Sequence, residues 1–153
     1  MTHVYFVRHA EPNYQNHDDA LRELSPKGLA DRALAAGYLR DKGVDSVLSS
    51  PYRRAVDTVA PLADALGLTV ETMDGFRERA VGDWVEDFGG YSQRQWAYFD
   101  YKLPDGESLR EVQKRNLKAG DEVLERFAGR RLPRHGVVHP HPPLPAGIRL
   151  CGL

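Results

Sequence analysis

Short apolar runs alternate with longer alanine-rich segments over the first half of this chain, and this order most constrains its fold. The apolar runs cover residues 3–7, 44–50 and 68–73, and the first, HVYFV, is continuous and rich in β-branched and aromatic side chains. Such runs are typical of strands buried on both faces of a parallel sheet. Strands separated by helices predict an α/β fold with a mainly parallel sheet.

Two Ser-Pro pairs mark the predicted starts of the intervening helices. Ser25-Pro26 precedes LADRALAAGYLRDKG, and Ser50-Pro51 precedes RRAVDTVAPLADALG. Serine is a favoured N-cap, and proline suits the first helical position because no N–H is needed there. Gly43 and Gly67 predict where these helices stop. Pro61 allows a kink in the second helix.

The second half of the chain contains an aromatic segment followed by one long helical pattern. Residues 75–106 are rich in aromatic side chains without a clear period, which indicates an insertion that covers the core, a wall that encloses a substrate, or both. Residues 107–127 are predicted to form a helix, because apolar positions recur three and four apart. Its predicted buried face consists of Leu109, Val112, Asn116, Ala119, Val123 and Phe127.

Length, charge and cysteine content favour a single globular domain over residues 1–153. The net charge of −1 gives no reason to expect nucleic acid or an anionic membrane as partner. No run approaches the roughly 20 apolar residues of a membrane span, and the N-terminus does not resemble a signal peptide. Cys151, the only cysteine, cannot form an internal disulfide. These features predict a cytoplasmic protein.

Basic side chains follow the first two predicted strands where each strand ends. Arg8 and His9 come directly after the first run, and Arg53 and Arg54 open the helix after the second. In parallel sheets, ligands bind beyond the carboxyl ends of the strands. A helix start carries unpaired N–H groups and a positive dipole end, and arginine binds phosphate through paired donors. The sequence therefore predicts a pocket for a phosphate dianion.

Several motifs, in order along the chain, resemble those of the histidine phosphatase superfamily, the phosphoglycerate mutase-like proteins. They are Arg8-His9-Ala10-Glu11, Leu24-Ser25-Pro26-Lys27-Gly28, the run SSPYRRAVDT at 49–58, Phe76-Arg77-Glu78 and Gly106-Glu107-Ser108. The resemblance covers residues 1 to about 128. It implies a three-layer α/β/α fold with a mainly parallel central sheet.

The same resemblance implies a role for individual residues. His9 would be the nucleophile that forms a phosphohistidine, which water then hydrolyses. Arg8 and Arg54 would hold the phosphoryl oxygens, with Arg53 a solvated neighbour. Glu78 would protonate the leaving oxygen and then activate water, a role that favours a carboxyl whose pKa is raised by burial. No metal or other cofactor is implied.

The end of the chain, residues 129–153, departs from the family pattern. The family has a strand there that ends in a second active-site histidine, but five of the ten prolines of this chain fall between 133 and 145. Proline has no N–H and is disfavoured in a central strand. We therefore expect residues 139–153 to form neither that strand nor the helix after it. The sheet edge left open would favour a homo-oligomer.

Three histidines compete for the second position in this tail. His135 is followed by glycine, His141 follows two valines, and His139 lies between them. We assign the second catalytic position to His141 and a phosphate contact to His135. His139 and His141 also suggest a small metal site, but histidines in a proline-rich tail are more often exposed without a metal.

Two classes of function follow from these motifs. The first is a phosphomonoester hydrolase that acts through a phosphohistidine on a small phosphorylated metabolite or a phosphoprotein. The alternative is a weakly active or inactive family member that binds a phosphorylated ligand. Substrate choice would depend on residues 75–106 and on the loop 11–24, where Asn13, Asn16 and His17 are candidate contacts.

Overall fold

The computed structural model describes residues 3–128 of the chain. Helices and strands alternate, and two short strands pair in parallel with Val47 opposite Val70. The elements are α1 (Pro26–Leu39), β1 (Val47–Ser49), α2 (Arg53–Leu66), β2 (Val70–Thr72), a 3-10 helix (Asp74–Phe76), α3 (Phe88–Ala97) and α4 (Leu109–Phe127). The predicted α/β fold with a parallel sheet is confirmed.

The main core lies between α1, β1 and α2. It is formed by Leu39, Val47, Leu62 and Ala63, all buried. Helix α1 packs along α2, which brings these side chains together over the strand. Burial of apolar side chains in this way is the dominant stabilising contribution to folding. The sheet is thereby covered on the side of α1 and α2.

Helix α1 begins as the Ser25-Pro26 pair predicts. The Ser25 hydroxyl accepts a 3.0 Å hydrogen bond from the Gly28 amide, and Pro26 occupies the first turn. The helix ends at Leu39, a few residues before the predicted stop at Gly43. Gly43 instead lies in the turn that leads to β1, with a φ of 69° that favours glycine.

Helix α2 begins later than its Ser-Pro pair predicts. Its N-cap is Tyr52, which makes no side-chain capping bond, and the first helical residue is Arg53. The prediction of Ser50 as the N-cap is wrong because its hydroxyl accepts from the Tyr52 amide at 3.2 Å, within a turn before the helix. The predicted end is confirmed, since Gly67 caps the helix in the left-handed conformation. Pro61 lies within the helix.

The first apolar run does not form the predicted strand. Residues 3–10 belong to no regular element, and Val4, Tyr5 and Phe6 are 43%, 45% and 57% exposed. A strand requires a neighbouring strand to pair with, and within residues 3–128 only β1 and β2 form such a ladder. Val7 nevertheless packs against the main core, so the run is anchored at its end.

The segment after β2 contains a helix that the sequence analysis missed, α3. Helix α4 follows it and is confirmed, with a capping box in which Ser108 accepts from the Glu111 amide and Glu111 accepts from the Ser108 amide. Its buried residues are Leu109, Val112, Ala119, Val123 and Phe127, nearly all of the predicted face. At Gly75, a Cβ would lie 2.5 Å from that of Ala119, so glycine permits the close approach of the 3-10 helix to α4.

The predictions made for the tail, including His135, His139 and His141, lie outside the described residues. Among the helices of residues 3–128, none has both the length and the apolar character needed to cross a membrane.

Candidate phosphate site

Three of the residues singled out in the sequence meet beyond the carboxyl ends of the two strands. Arg54 lies in the first turn of α2, directly after β1, and Glu78 follows β2 and the 3-10 helix. The Arg54 Nη2 donates a 2.6 Å hydrogen bond to the Glu78 Oε2. The His9 Nε2 lies 3.6 Å from the same oxygen. The fold therefore brings an imidazole, a guanidinium and a carboxylate to one point.

The His9 ring is held in one orientation by the backbone. Its Nδ1 lies 2.8 Å from the Ala10 carbonyl oxygen. Because a carbonyl only accepts, Nδ1 must carry the proton, and in the neutral ring Nε2 then bears the lone pair. The adjacent Ala10 amide donates to the Thr58 hydroxyl at 3.0 Å, which fixes this stretch to α2. The geometry directs Nε2 toward the site, where it donates to Glu78 when the ring is protonated and carries the lone pair when the ring is neutral.

Arg54 is a buried cation at the centre of the site. Its side chain is only 2% exposed, and its guanidinium lies 4.8 Å from the centre of the Tyr52 ring. It donates to the Asp19 carbonyl oxygen and lies 3.1 Å from the Asp19 carboxylate. By contrast, the Arg53 side chain is 58% exposed and pairs with Asp57 at 3.5 Å, as expected for a solvated neighbour.

Glu78 is ionised in the free site, contrary to the expectation of a raised pKa. Burial alone would raise its pKa, but hydrogen bonds from His9 and Arg54 outweigh it and lower the pKa to about 2. The side chain remains 54% exposed, so water also stabilises the charged form. The expectation was wrong because His9 and Arg54, both distant from Glu78 in the chain, form hydrogen bonds that stabilise its charged form.

Glu78 is held from both sides by a network centred on Glu107. Arg77 donates to both Glu107 oxygens at 2.6 and 2.8 Å, and the Ala80 amide donates at 3.0 Å. Arg115 binds the same carboxylate at 3.0 Å and donates to the Arg77 carbonyl at 2.9 Å. The backbone on each side of Glu78 is therefore fixed to α4. In the sequence, Glu107 is recognisable only as part of a helix start, and no local signal predicts this role.

Arg8 is not part of this contact network. It is exposed and makes no hydrogen bond or ion pair within the described part of the chain. Its predicted phosphate contact therefore stays a prediction. A guanidinium beside His9 in the chain and without a partner among residues 3–128 is available to a ligand.

The loop between residues 11 and 24 is organised around Glu23. The amides of Asn13 and Asn16 donate to its two oxygens at 2.7 and 2.8 Å. These bonds, first that of Asn16, lower the pKa of Glu23 to about 2. His17 stacks on Trp84, with ring centres 3.7 Å apart and planes 10° apart. The loop is thus joined to the aromatic segment, and Asn13 and Asn16 serve its internal structure.

No group of three or more histidine, cysteine or carboxylate side chains within residues 3–128 is arranged to hold a metal ion. At the candidate site, the positive charge available to an anionic ligand comes from arginine side chains.

Comparison with known proteins identifies relatives with phosphate chemistry. Residues 4–141 match the model of the histidine phosphatase superfamily (branch 1). A probable phosphoglycerate mutase from Yersinia pestis is 30% identical over an alignment that covers 90% of this chain and 71% of the relative.

Solved structures with the same fold point in the same direction. The mycobacterial glucosyl-3-phosphoglycerate phosphatase superposes with a TM-score of 0.67 at 26% identity, covering 79% of this chain and 63% of that one. This chain therefore spans somewhat less than two thirds of that protein. The same phosphatase has been solved with inorganic phosphate and, at a TM-score of 0.68 and 25% identity, with VO3.

Proposed function

This chain belongs to branch 1 of the histidine phosphatase superfamily, and we propose that it hydrolyses phosphomonoesters through a phosphohistidine at His9. The observation that carries the proposal is the orientation of the His9 ring. With Nδ1 donating to the Ala10 carbonyl, the Nε2 lone pair faces a buried guanidinium and a carboxylate. Nucleophile, anion-binding cation and acid–base group are the three parts that such a reaction needs.

In the first step, the Nε2 lone pair of His9 attacks phosphorus and the bond from phosphorus to the ester oxygen breaks. Arg54 stabilises the charge on the phosphoryl oxygens, and Arg8, next to His9 in the chain, supplies a second guanidinium. The leaving oxygen takes a proton from Glu78. A phosphate bound at Arg54 would replace its bond to Glu78 and place negative charge beside that carboxylate. Both changes raise the pKa of Glu78 toward the range of a general acid.

In the second step, water attacks the phosphohistidine. Glu78, now ionised, takes a proton from that water, the N–P bond breaks and inorganic phosphate forms. His9 regains its lone pair and the cycle closes. The scheme needs no metal ion, because arginine supplies the positive charge. His141, with His135 as the other candidate, would donate to the phosphoryl oxygens opposite His9.

The proposed substrate is a small phosphorylated molecule. The relatives named above are a probable phosphoglycerate mutase and a glucosyl-3-phosphoglycerate phosphatase, and the phosphatase has been solved with inorganic phosphate. They support a phosphorylated ligand without specifying which one binds here. A cytoplasmic location agrees with a single cysteine and a nearly neutral chain.

Rapid quenching into alkali tests the proposal, because phosphohistidine survives base and is lost in acid. Wild-type protein mixed with a ³²P-labelled phosphomonoester should carry label within one turnover, and His9→Ala should carry none. His3→Ala, which removes an exposed histidine from the same stretch, is the matched control and should be labelled like the wild type. Label that persists in His9→Ala would identify another nucleophile. Wild-type protein that binds phosphate but never becomes labelled would be the inactive binding relative.

A further inference from the structure

In the free protein, Asp19 contacts Arg54, the proposed phosphate-binding cation. The Arg54 Nη1 donates to the Asp19 carbonyl oxygen, and the Asp19 Oδ1 lies 3.1 Å from the Arg54 Nη2. Its side chain is 41% exposed, so this carboxylate borders both Arg54 and the solvent. We propose that Asp19 competes with phosphate for Arg54 and so sets how tightly the site binds phosphate. This inference rests on the proposed function.

The geometry of the guanidinium makes the competition direct. Arginine holds phosphate bidentately on one of two edges, Nε with Nη2 or Nη1 with Nη2, and both edges include Nη2. At Nη2 the Glu78 carboxylate already lies at 2.6 Å and the Asp19 carboxylate at 3.1 Å. A phosphate that binds either edge therefore replaces the Glu78 bond, as in the proposed reaction, and competes with the Asp19 carboxylate at the same nitrogen. Glu78 has a task in the proposed reaction, whereas among residues 3–128 the Asp19 carboxylate forms ion pairs only with Arg54 and, at 3.6 Å, with Arg22.

Apart from an ion pair of Asp19 with Arg22 at 3.6 Å, the loop that carries Asp19 is held by bonds that do not use its carboxylate. The Ala20 carbonyl accepts from the Arg53 amide at 3.0 Å, which ties the loop to the start of α2. The Arg22 Nε donates to the Asn16 carbonyl at 2.7 Å. The Asp18 carboxylate accepts from the amides of Ala20 and Leu21. Neutralising Asp19 should therefore change the charge at Arg54 and leave the loop in place.

Charge decides the direction of the effect. Asp19 and Glu78 together offset the single charge of Arg54, and a phosphate dianion brings two more negative charges to the same point. Removing the charge of Asp19 takes away both a competitor and a repulsion a few ångströms from the phosphate. The same competition assists product release, because Asp19 recovers Arg54 as inorganic phosphate leaves. The contact between Asp19 and Arg54 therefore weakens binding of the product, inorganic phosphate.

Calorimetric titration with inorganic phosphate at fixed pH and ionic strength tests the inference. We expect Asp19→Asn to bind phosphate at least about fivefold more tightly than the wild type, a size that a screened charge a few ångströms away can produce. Asp41→Asn is the matched control, because it removes the same charge from an exposed turn before β1, at the opposite end of the sheet. Its affinity should stay within about twofold of the wild type.

A second variant separates charge from shape. Asp19→Ser removes the carboxylate but keeps the backbone carbonyl that binds Arg54, and it should also tighten phosphate binding. If the wild type binds phosphate and both Asp19 variants bind it equally or more weakly, the inference is wrong while the proposed function stands. If the wild type neither binds phosphate nor forms phosphohistidine, the proposed function fails and this inference fails with it.

Discussion

Arg54 and Glu78 are 24 residues apart in the chain, yet the Arg54 Nη2 lies 2.6 Å from the Glu78 Oε2. Arg54 comes from the first turn of α2, and Glu78 comes from the extended chain after the 3-10 helix. Parallel pairing of β1 with β2 places the two segments at the same edge of the sheet. Hydrogen bonds from His9 and Arg54 lower the pKa of Glu78, and the bond to Glu78 orients the Arg54 guanidinium before any ligand arrives.

The two neighbouring arginines of α2 should differ sharply when replaced. Arg54→Ala is expected to weaken phosphate binding by at least about tenfold, because hydrogen bonds to charged groups contribute roughly 1.5–3 kcal/mol. Arg53→Ala removes an exposed arginine and should change the affinity by less than about twofold. Titration with inorganic phosphate measures both, and thermal unfolding shows that each variant is folded. Equal effects would mean that Arg54 is not the phosphate-binding cation.

The proposed role of Glu78 as general acid predicts a dependence on the leaving group. Glu78→Gln should lower kcat by about 10²–10⁴ for an alkyl phosphate, whose leaving oxygen needs a proton. For p-nitrophenyl phosphate, whose leaving group is stable as an anion, the loss should be much smaller. Glu86→Gln, which neutralises an exposed carboxylate in the same segment, is the control. Equal losses on both substrates would argue that Glu78 acts only by positioning Arg54.

The Glu107 network should make the stability of the protein depend on pH. Burial would raise the pKa of Glu107, but bonds from Arg77, the Ala80 amide and Arg115 outweigh it and lower the pKa below its ordinary value of 4.5. A lowered pKa stabilises the folded protein above the ordinary value, and this stabilisation is lost as the pH falls below it. The network therefore contributes fully at neutral pH.

Urea unfolding of Glu107→Gln measures this contribution. The variant is expected to lose about 1–3 kcal/mol of unfolding free energy at pH 7, and the difference from the wild type should shrink as the pH falls below 4.5. Glu122→Gln is the control, since among residues 3–128 its exposed carboxylate forms an ion pair only with Lys118, at 3.9 Å. A difference that stays constant with pH would show that the ionised carboxylate is not the stabilising form.

Much of the site could be predicted because its residues follow strand ends. His9 and Arg54 are marked by apolar runs that stop at a basic residue or a helix start, and that signal is local in the chain. Asp19 could not be predicted in the same way, because its contact spans 35 residues and depends on how an irregular loop packs. The pKa of Glu78 was predicted in the wrong direction for the same reason. The direction of this pKa shift depends on hydrogen bonds from His9 and Arg54, which are distant from Glu78 in the chain.

Two of the three predicted strands formed and the first did not, because strand formation also depends on a contact distant in the chain. The runs that became β1 and β2 have each other as partners, whereas residues 3–7 are more apolar than either but have no pairing strand within residues 3–128. Apolar content makes a segment suitable for a sheet, but the hydrogen-bonding partner makes it a strand. Helix α3 was missed because the aromatic segment that contains it has no clear helical period.

The proline-rich tail gives the last prediction, and it concerns residues beyond the described part of the chain. In the histidine phosphatase superfamily, a second histidine ends a central strand. Here, Pro140 and Pro142 flank His141 and would each disrupt such a strand. We therefore expect low turnover in the wild type. The triple substitution His139→Ser, Pro140→Thr and Pro142→Gly keeps His141 and gives the sequence Val-Val-Ser-Thr-His-Gly. It should raise kcat at least about tenfold, since one well-placed donor to the phosphoryl oxygens is worth about 10²–10³ in rate. Adding His141→Ala should abolish the gain, and a gain that survives this change would show that His141 is not the second histidine.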